Sequence, residues 1–508
     1  MKITRKVFSA CSSLMFSALI LTSATTVRAD SDADEAPNFG VRGNRITSNC
    51  QVQGGVLILP QVPPPPTISA NDPCQGKVVA LDKSPSSRWS VDISWFDPAT
   101  EKLYLADRNN GGVDVFDTKT ETAVGLAGGF VGIQPVTPAG VNPAVLNNSG
   151  PNGILVINNG NIHQLWSGDG VNCKFDPPGQ TSTVTCTGTS QVLVHNLDKN
   201  GIPTTNAPFV SVDVGGKRRA DELAYDPDDQ LILIANDDDL DLFVTFISVS
   251  NTAGNIKVVG KISIPEADGC GIEQPVYDHA SNRFYLAVPC TSAHKSGAIY
   301  VINPKTKLVE KIYDTVGTGV AAGVPCFPHG LALGPRQNLL LGCSGDGVTG
   351  TQMISIIMKA TTGAVLATFN QAGGSDEVYF DKGNNTYFLA MSSWTSSGKT
   401  GTGNPTPSLG IISAGSSDNG NEAPEFIQNI LTTRTSHSVA AGFGFRCDFD
   451  DRGRSHCDGD DRNKNNDVVR KHAYVPLTTV PIPLTSGTPP TPATLLESGG
   501  IGIYGRLP

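Results

Sequence analysis

Charge is sparse in this sequence, and what there is leans one way. Only 17% of its 508 residues are charged, with 37 Lys and Arg against 47 Asp and Glu, for a net charge of −10. That balance offers no basic surface to a phosphate backbone or an anionic bilayer, which excludes nucleic acid and anionic membrane as partners. Long apolar runs are scarce too. Outside one N-terminal stretch, dense from Leu14 to Leu21, nothing approaches the ~20 apolar residues that cross a bilayer, so no membrane span is expected. Familiar catalytic signatures are also missing. No Cys-x-x-Cys-His exists to attach a c-type haem, and no Gly-x-Ser-x-Gly elbow exists to present a nucleophile. Ser397-Gly398-Lys399-Thr400 ends like a phosphate loop, but Ser393 stands where the loop needs its first glycine. The four tryptophans, at 89, 95, 166 and 394, do not cluster in sequence, so core packing is their default role.

What is present argues for short strands joined by turns. Gly 55 and Pro 35 are set among many Val, Ile, Thr and Asn residues. Residues 1–29 read as a secretory signal. Lys2, Arg5 and Lys6 open it, the apolar run follows, and Val27-Arg28-Ala29 puts small residues where a signal peptidase reads, with cleavage expected after Ala29. Removing the leader's four basic residues leaves a secreted or periplasmic chain at −14.

Eleven cysteines become ten once Cys11 is cut away. An even number in an exported chain implies disulfides. Neighbouring cysteines enclose hairpin-sized segments. The expected bridges are therefore local: Cys50–Cys74, Cys173–Cys186, Cys270–Cys290, Cys326–Cys343 and Cys447–Cys457.

A repeat runs through the chain. Each copy has a polar residue, a short apolar strand, an Asp-Pro-like turn and a second apolar strand ending in small residues. Val91 to Ala106, Asp221 to Ala235, Glu273 to Ala287, His329 to Gly342 and Asp376 to Ala390 all fit it. The turns at 226, 278, 335 and 381 are 52, 57 and 46 residues apart, a blade-sized period. A third strand follows each hairpin, as at Val113–Asp117 and Ala298–Asn303. The fold expected is all-β: a single β-propeller of about seven blades, with six as the alternative, and with disulfide-stapled hairpins. Residues 30–75 form an N-terminal segment with the Pro63–Pro66 run, 76–485 the propeller, and 486–508 a tail whose Ile501–Tyr504 would complete a blade begun near the N-terminus. An acidic insert, 443–470, interrupts the last blade between Ser436–Ala440 and His472–Pro476. Cys270 and Cys326 each precede the polar residue of their repeat by three positions. Cys290 and Cys343 each lie just past the second strand. Adjacent repeats thus carry the same staple at one corner, at a strand spacing (~4.8 Å) that suits a disulfide.

Gly297-Ala298-Ile299-Tyr300-Val301-Ile302-Asn303-Pro304-Lys305-Thr306, Gly112 to Thr118, and His437 to Ala440 with His472 to Pro476 resemble the bacterial YVTN-type β-propeller proteins, over roughly residues 76 to 485. Pro328 to Pro335 is also similar to repeats of gluconolactonase-like propellers, some of which hold an axial metal. The set of three matching histidines is absent here, so the resemblance implies blades and no particular reaction.

Aligning the repeats on their turns collects Asp92, Asp221, Glu273, His329 and Asp376 at one position, with His437 as the sixth member. If that position opens the innermost strand, these groups converge at one mouth of the central channel. There they form an acidic entrance that could hold a divalent metal (Ca²⁺, Mn²⁺ or Zn²⁺) or supply a general base, for which Glu273, His329 and His437 are the candidates. Glu222 and Glu377 follow directly and by alternation should face differently. In the insert, Asp448, Asp450 and Gly453 imitate the start of a calcium loop, but Arg452 and Gly459 break the pattern. That insert and the Asp237 to Asp241 run read as solvated loops. The function expected is an exported propeller binding a small molecule or a protein at its channel mouth. The alternative is a metal-dependent lyase, lactonase-like hydrolase or isomerase using the ring.

Overall fold

The computed structural model describes residues 90–133 (without 121), 148–175, 184–237, 242–265, 270–345, 348–415 (without 384), 423–432 and 437–443. It also describes the strands at 51–53, 56–58, 77–80, 136–137, 140–141, 447–449, 455–457, 471–481 and 497–505. The signal segment, the Pro63–Pro66 run, Cys50, Cys74, and most of the acidic insert lie outside the described residues, as do the side chains of Cys447 and Cys457.

The chain is an all-β propeller. Six blades each hold four antiparallel strands consecutive in sequence, apart from a small insert hairpin in blade II, and the sheet of blade VI carries two further strands at its edge. Blade I runs Val91–Asp97, Lys102–Asp107, Gly112–Asp117, Thr122–Gly128. Blade II runs Ile154–Asn159, Ile162–Asp169, Gln191–Asn196, Val210–Asp213. Blade III runs Leu223–Asp226, Leu231–Asn236, Phe243–Ser248, Val258–Ser263. Blade IV runs Pro275–Asp278, Arg283–Val288, Ala298–Asn303, Leu308–Asp314. Blade V runs Pro328–Gly334, Asn338–Cys343, Ser355–Lys359, Val365–Phe369. Blade VI runs Val378–Asp381, Thr386–Met391, Ser408–Ser413, Glu425–Leu431. Of the two blade counts expected, about seven and the alternative of six, six is the one favoured. The remaining four-stranded sheet is not built from four consecutive strands. It joins Ala440–Phe443, Lys471–Pro481 and Glu497–Gly505 to Lys77–Ala80 from the other end of the chain, and is called the closing sheet below.

The turns explain why the hairpins recur. Asp226 Oδ1 accepts hydrogen bonds from the Asp228 and Asp229 amides at 2.8 and 3.1 Å. Asp278 and Asp381 accept in the same way. These are Asx turns, in which a short acidic side chain satisfies the backbone where the strand ends. In blades I, III, IV and VI the residue before the second strand is left-handed: Glu101, Gln230, Asn282 and Asn385 all have φ between 51° and 53°.

Alternation then packs the blades. In Arg283–Val288, Phe284, Leu286 and Val288 join blade III residues Leu233, Val244 and Phe246. Tyr285 and Ala287 point the other way, into blade V's Leu339, Leu341 and Ile356. A central strand is therefore buried on both faces, whereas the outermost strand Val258–Ser263 alternates between half-buried and exposed. Each apolar cluster is shared by two neighbouring sheets. The closing sheet packs on blade VI through Val439 and Val475 and on blade I through Ala440, Tyr474 and Ile501.

Three bridges are present among the described residues: Cys173–Cys186, Cys270–Cys290 and Cys326–Cys343, with Cα separations of 4.0, 5.4 and 4.7 Å. Cys447 and Cys457 are backbone partners in a small hairpin. The N-terminal segment adds a hairpin, Gln51–Gln53 with Val56–Ile58, to the outer edge of blade VI. Among the described residues no helix is long and apolar enough to cross a membrane.

Candidate functional site at the channel mouth

The inner strands enter from one end of the channel, and their first residues extend the strand ladder. Asp221, Glu273 and Asp376 each donate their amide to an alanine carbonyl of the second strand, Ala235, Ala287 and Ala390 in turn. The same register in three blades places the same side chain at the same height. All six aligned residues, Asp92, Asp221, Glu273, His329, Asp376 and His437, line one cavity of about 220 Å³. Arg219, Glu222, Asp237, Cys270 and Gly271 complete its wall.

Two charge networks organise this cavity. His437 sits between two carboxylates, its Nε2 2.8 Å from Asp92 and its Nδ1 2.9 Å from Asp376. Arg108, buried, donates from Nη2 to Asp92 at 2.6 Å and to Asn152 at 2.7 Å. Asn152 in turn donates to the Ser149 and Ala220 carbonyls. On the other side Arg219 Nη2 bridges Asp221 at 2.8 Å and Asp237 at 2.9 Å. Asp237 also accepts from the Ile272 amide at 3.0 Å. It thereby pins the segment beside Gly271, whose φ of +85° and 2.5 Å Cβ approach to Asp237 leave no room for a side chain.

The titrations split accordingly. Burial would raise Asp92, but Arg108 and His437 outweigh it and hold the carboxyl below its usual range. Asp376 is held low against the same burial, chiefly by His437. Burial would lower His437, yet Asp376 and Asp92 raise it well above its ordinary value, so the imidazole is a cation. Burial pushes Asp221 up to about 8, helped by Asp92 and Asp237 and opposed by Arg219. Glu273 rises well above its usual value through burial, with the charges of Asp237, Asp376 and Asp221 adding to it. His329 Nδ1 lies 3.0 Å from the Phe327 carbonyl, which can only accept, so Nδ1 carries the proton; Nε2 faces Glu273 at 3.5 Å.

Glu222 departs from the expected alternation by lining the cavity beside Asp221, while Glu377 is not in its wall. Both are buried, and their side chains hydrogen-bond to each other. They come from blades III and VI, which do not adjoin, so the contact spans the channel. Burial raises both carboxyls, Glu222 well above its usual value and Glu377 to about 7. The second oxygen of each, Oε2, is buried with no hydrogen-bond partner. Asp237 departs too: it is a buried ion-pair member, not part of a solvated turn.

The proposed metal set is brought together but is otherwise engaged. Both nitrogens of His437 and both oxygens of Asp92 have partners. Among the described residues no group of three or more His, Cys, Asp or Glu is disposed to hold a metal ion. Sequence reasoning missed Arg108, Arg219 and Asn152. The basic run Lys217-Arg218-Arg219, immediately before Asp221 in an acidic chain, was the available signal for one of them.

No family model matches this chain, and no curated protein matches it. Solved WD40 propellers are similar in outline. The Neurospora crassa Pan2 WD40 domain is 11% identical, covering 74% of this chain and 88% of its own, with a TM-score of 0.40. The RRP9 WD40 repeats are 9% identical, covering 84% and 100%, with a TM-score of 0.45. U3-55K is 8% identical, covering 82% and 100%, with a TM-score of 0.45. At these values the likeness carries no argument about function.

Proposed function

We propose that this chain is an exported propeller of the YVTN type that binds a small, polar molecule at its channel mouth, with the closing sheet acting as a further blade that completes the circle. The observation that carries the reading is the convergence of six aligned residues on one cavity. Its wall holds charged side chains, Gly271 and the Cys270 of a bridge, and no large apolar side chain. That excludes an apolar ligand as its natural occupant. A cavity of about 220 Å³ is of a size to take a small molecule. The leader's residues support export, with the mature chain beginning at Asp30.

The metal-dependent enzyme has less support. His437 is a clamped cation with no free nitrogen, and a general base needs a lone pair. A thermal-shift screen of small polar compounds on the mature protein tests the reading. A ligand that stabilises the wild type but neither Glu273→Ala nor Asp376→Ala binds at the mouth. Hits that survive both substitutions overturn it.

A further inference from the structure

Glu222 enters from blade III and Glu377 from blade VI, and their side chains meet across the channel. Glu222 is in the wall of the mouth cavity and Glu377 is not, so the pair stands at the inner boundary of that cavity. Both residues are buried, and Oε2 of each has no hydrogen-bond partner. An ionised carboxylate accepts and never donates, so two carboxyl groups hydrogen-bond only through a proton that one of them carries. No cation is placed to stand in for that proton. Arg108 is committed to Asp92 and Asn152, and Arg219 to Asp221 and Asp237. The groups facing Glu222 are Glu377, Asp221 and Glu273, all of them acids. Those facing Glu377 are Glu222, Asp376, Asp92 and the cation His437, which Asp376 and Asp92 already share. Stripped of its proton, the pair becomes two like charges held together out of water, an arrangement that cannot last.

We propose that Glu222 and Glu377 form a proton-held bolt that closes the channel behind the mouth. With a proton between them, the two side chains tie blade III to blade VI, which no strand pairing joins. With none, they repel, part and admit water. The bolt goes beyond the small-molecule reading and holds whether or not the mouth takes a ligand. Burial raises both carboxyls, and a coupled pair gives up its protons in two steps. The first, with Glu377 at about 7, leaves one proton shared and the bolt shut. The second follows Glu222, which burial and the neighbouring Glu377 raise well above its usual range. Only that second step parts the pair, so the bolt is shut in acid and at neutrality and opens as the solution turns alkaline.

Amide hydrogen exchange of the mature protein tests this, read on the strand opposite each substitution so that local sequence effects cancel. Glu222→Gln carries its own N–H donor and should keep the bolt shut at any pH. Glu222→Ala removes it. Peptides covering residues 376–381 of blade VI report on both. At about pH 6 the wild type and Glu222→Gln should exchange alike there, with Glu222→Ala at least tenfold faster. At about pH 10, far above the ordinary carboxyl range, the wild type should exchange at least tenfold faster than Glu222→Gln and match Glu222→Ala. Asp221 titrates in all three proteins, so its effect cancels. Glu377→Gln, read on residues 221–226 of blade III, should behave as Glu222→Gln does. Thermal melts at each pH establish that the variants are folded. Carbon-13 NMR of glutamate-labelled protein stands independently of the alanine variant: one carboxyl should keep its proton at about pH 8 and vanish in Glu222→Gln. Equal exchange of wild type and Glu222→Gln at both pH values overturns the role of the proton. Unchanged exchange in Glu222→Ala at about pH 6 overturns the tie, and the absence of that protonated carboxyl overturns the pair. None of these results bears on whether the mouth binds a small molecule.

Discussion

Nε2 of His437 lies 2.8 Å from Oδ1 of Asp92, and this contact joins the closing sheet to blade I at the seam of the circle. Through Nδ1 the same ring holds Asp376 of blade VI, so one imidazolium clasps three sheets. Ser438 adds a second tie, accepting from the Ser94 amide at 2.8 Å. His437→Ala leaves Asp92 and Asp376 without their shared cation. With the ring 37% exposed, water offsets part of the loss. The expected cost is about 1–2 kcal/mol, read as a lower denaturation midpoint. An unchanged midpoint would mean that the seam is held by its apolar packing alone.

The carboxyls predict an acid-shifted stability optimum. Asp221 rises from 3.8 to about 8 on folding and Glu377 from 4.5 to about 7. A group that binds its proton more tightly when folded stabilises below its unfolded value and loses that contribution as pH rises toward the folded one. Each such group costs up to about 1.4 kcal/mol per pH unit across that window. His437, also raised, contributes most below its ordinary 6.5 and loses this as pH climbs through its folded value. Asp92 and Asp376, held low, lose theirs only as pH falls below about 4. Thermal melts from pH 4 to 9 should therefore peak between about 4 and 6. Asp221→Asn, which mimics the protonated state, should flatten the alkaline limb. A peak at pH 8 would contradict the assignment.

The ring was legible because four of its members, Asp92, Asp221, Glu273 and Asp376, stand at one fixed offset before an Asp turn, and that turn has a strong local signature. Asp221, Glu273 and Asp376 could be aligned by eye since each pairs with the small residue ending the next strand. Blade II escaped. Its first hairpin turns at Gly160 without an acidic residue, and an insert with Cys173 and Cys186 interrupts its second connection. Asn152 and Gly153 fill the ring's place there. A Cβ on Gly153 would come within 2.3 Å of the Asp221 carbonyl, the same approach that Gly330 makes to Asp376. Arg108 and Arg219 escaped because they lie in loops with no repeat to mark them. Glu222 was misjudged for another reason: strict alternation fails where strands converge on an axis, and the channel admits side chains from more than one position.

The tail strand should be indispensable. Glu497–Gly505 is paired on both sides, with Lys77–Ala80 and with Lys471–Pro481, and Ile501 is buried against blade I. Truncation after residue 485 removes the middle of the link between the chain's ends and exposes two strand edges. The truncated protein should melt at least ~10 °C lower or lose its cooperative transition. A normal melt would show that the circle holds without it.

The bridges should open in an order set by access, and only one of them should matter to the cavity. Cys326 and Cys343 are fully buried, whereas Cys270 and Cys290 are partly exposed and Cys186 is exposed. Attack by a thiolate requires reach. Rising dithiothreitol should reduce Cys173–Cys186 and Cys270–Cys290 before Cys326–Cys343, as read by alkylation and peptide mass. Loss of Cys173–Cys186 frees a hairpin whose cysteines are not in the cavity wall. Loss of Cys270–Cys290 frees a segment of the cavity wall, leaving Asp237's hold on the Ile272 amide to anchor it. A Cys270→Ser/Cys290→Ser protein should accordingly keep most of its thermal stability yet bind ligands at the mouth at least tenfold more weakly. Cys173→Ser/Cys186→Ser should bind them normally. Equal binding by both double variants would show that the wall is set by the blade ladder and not by its staple.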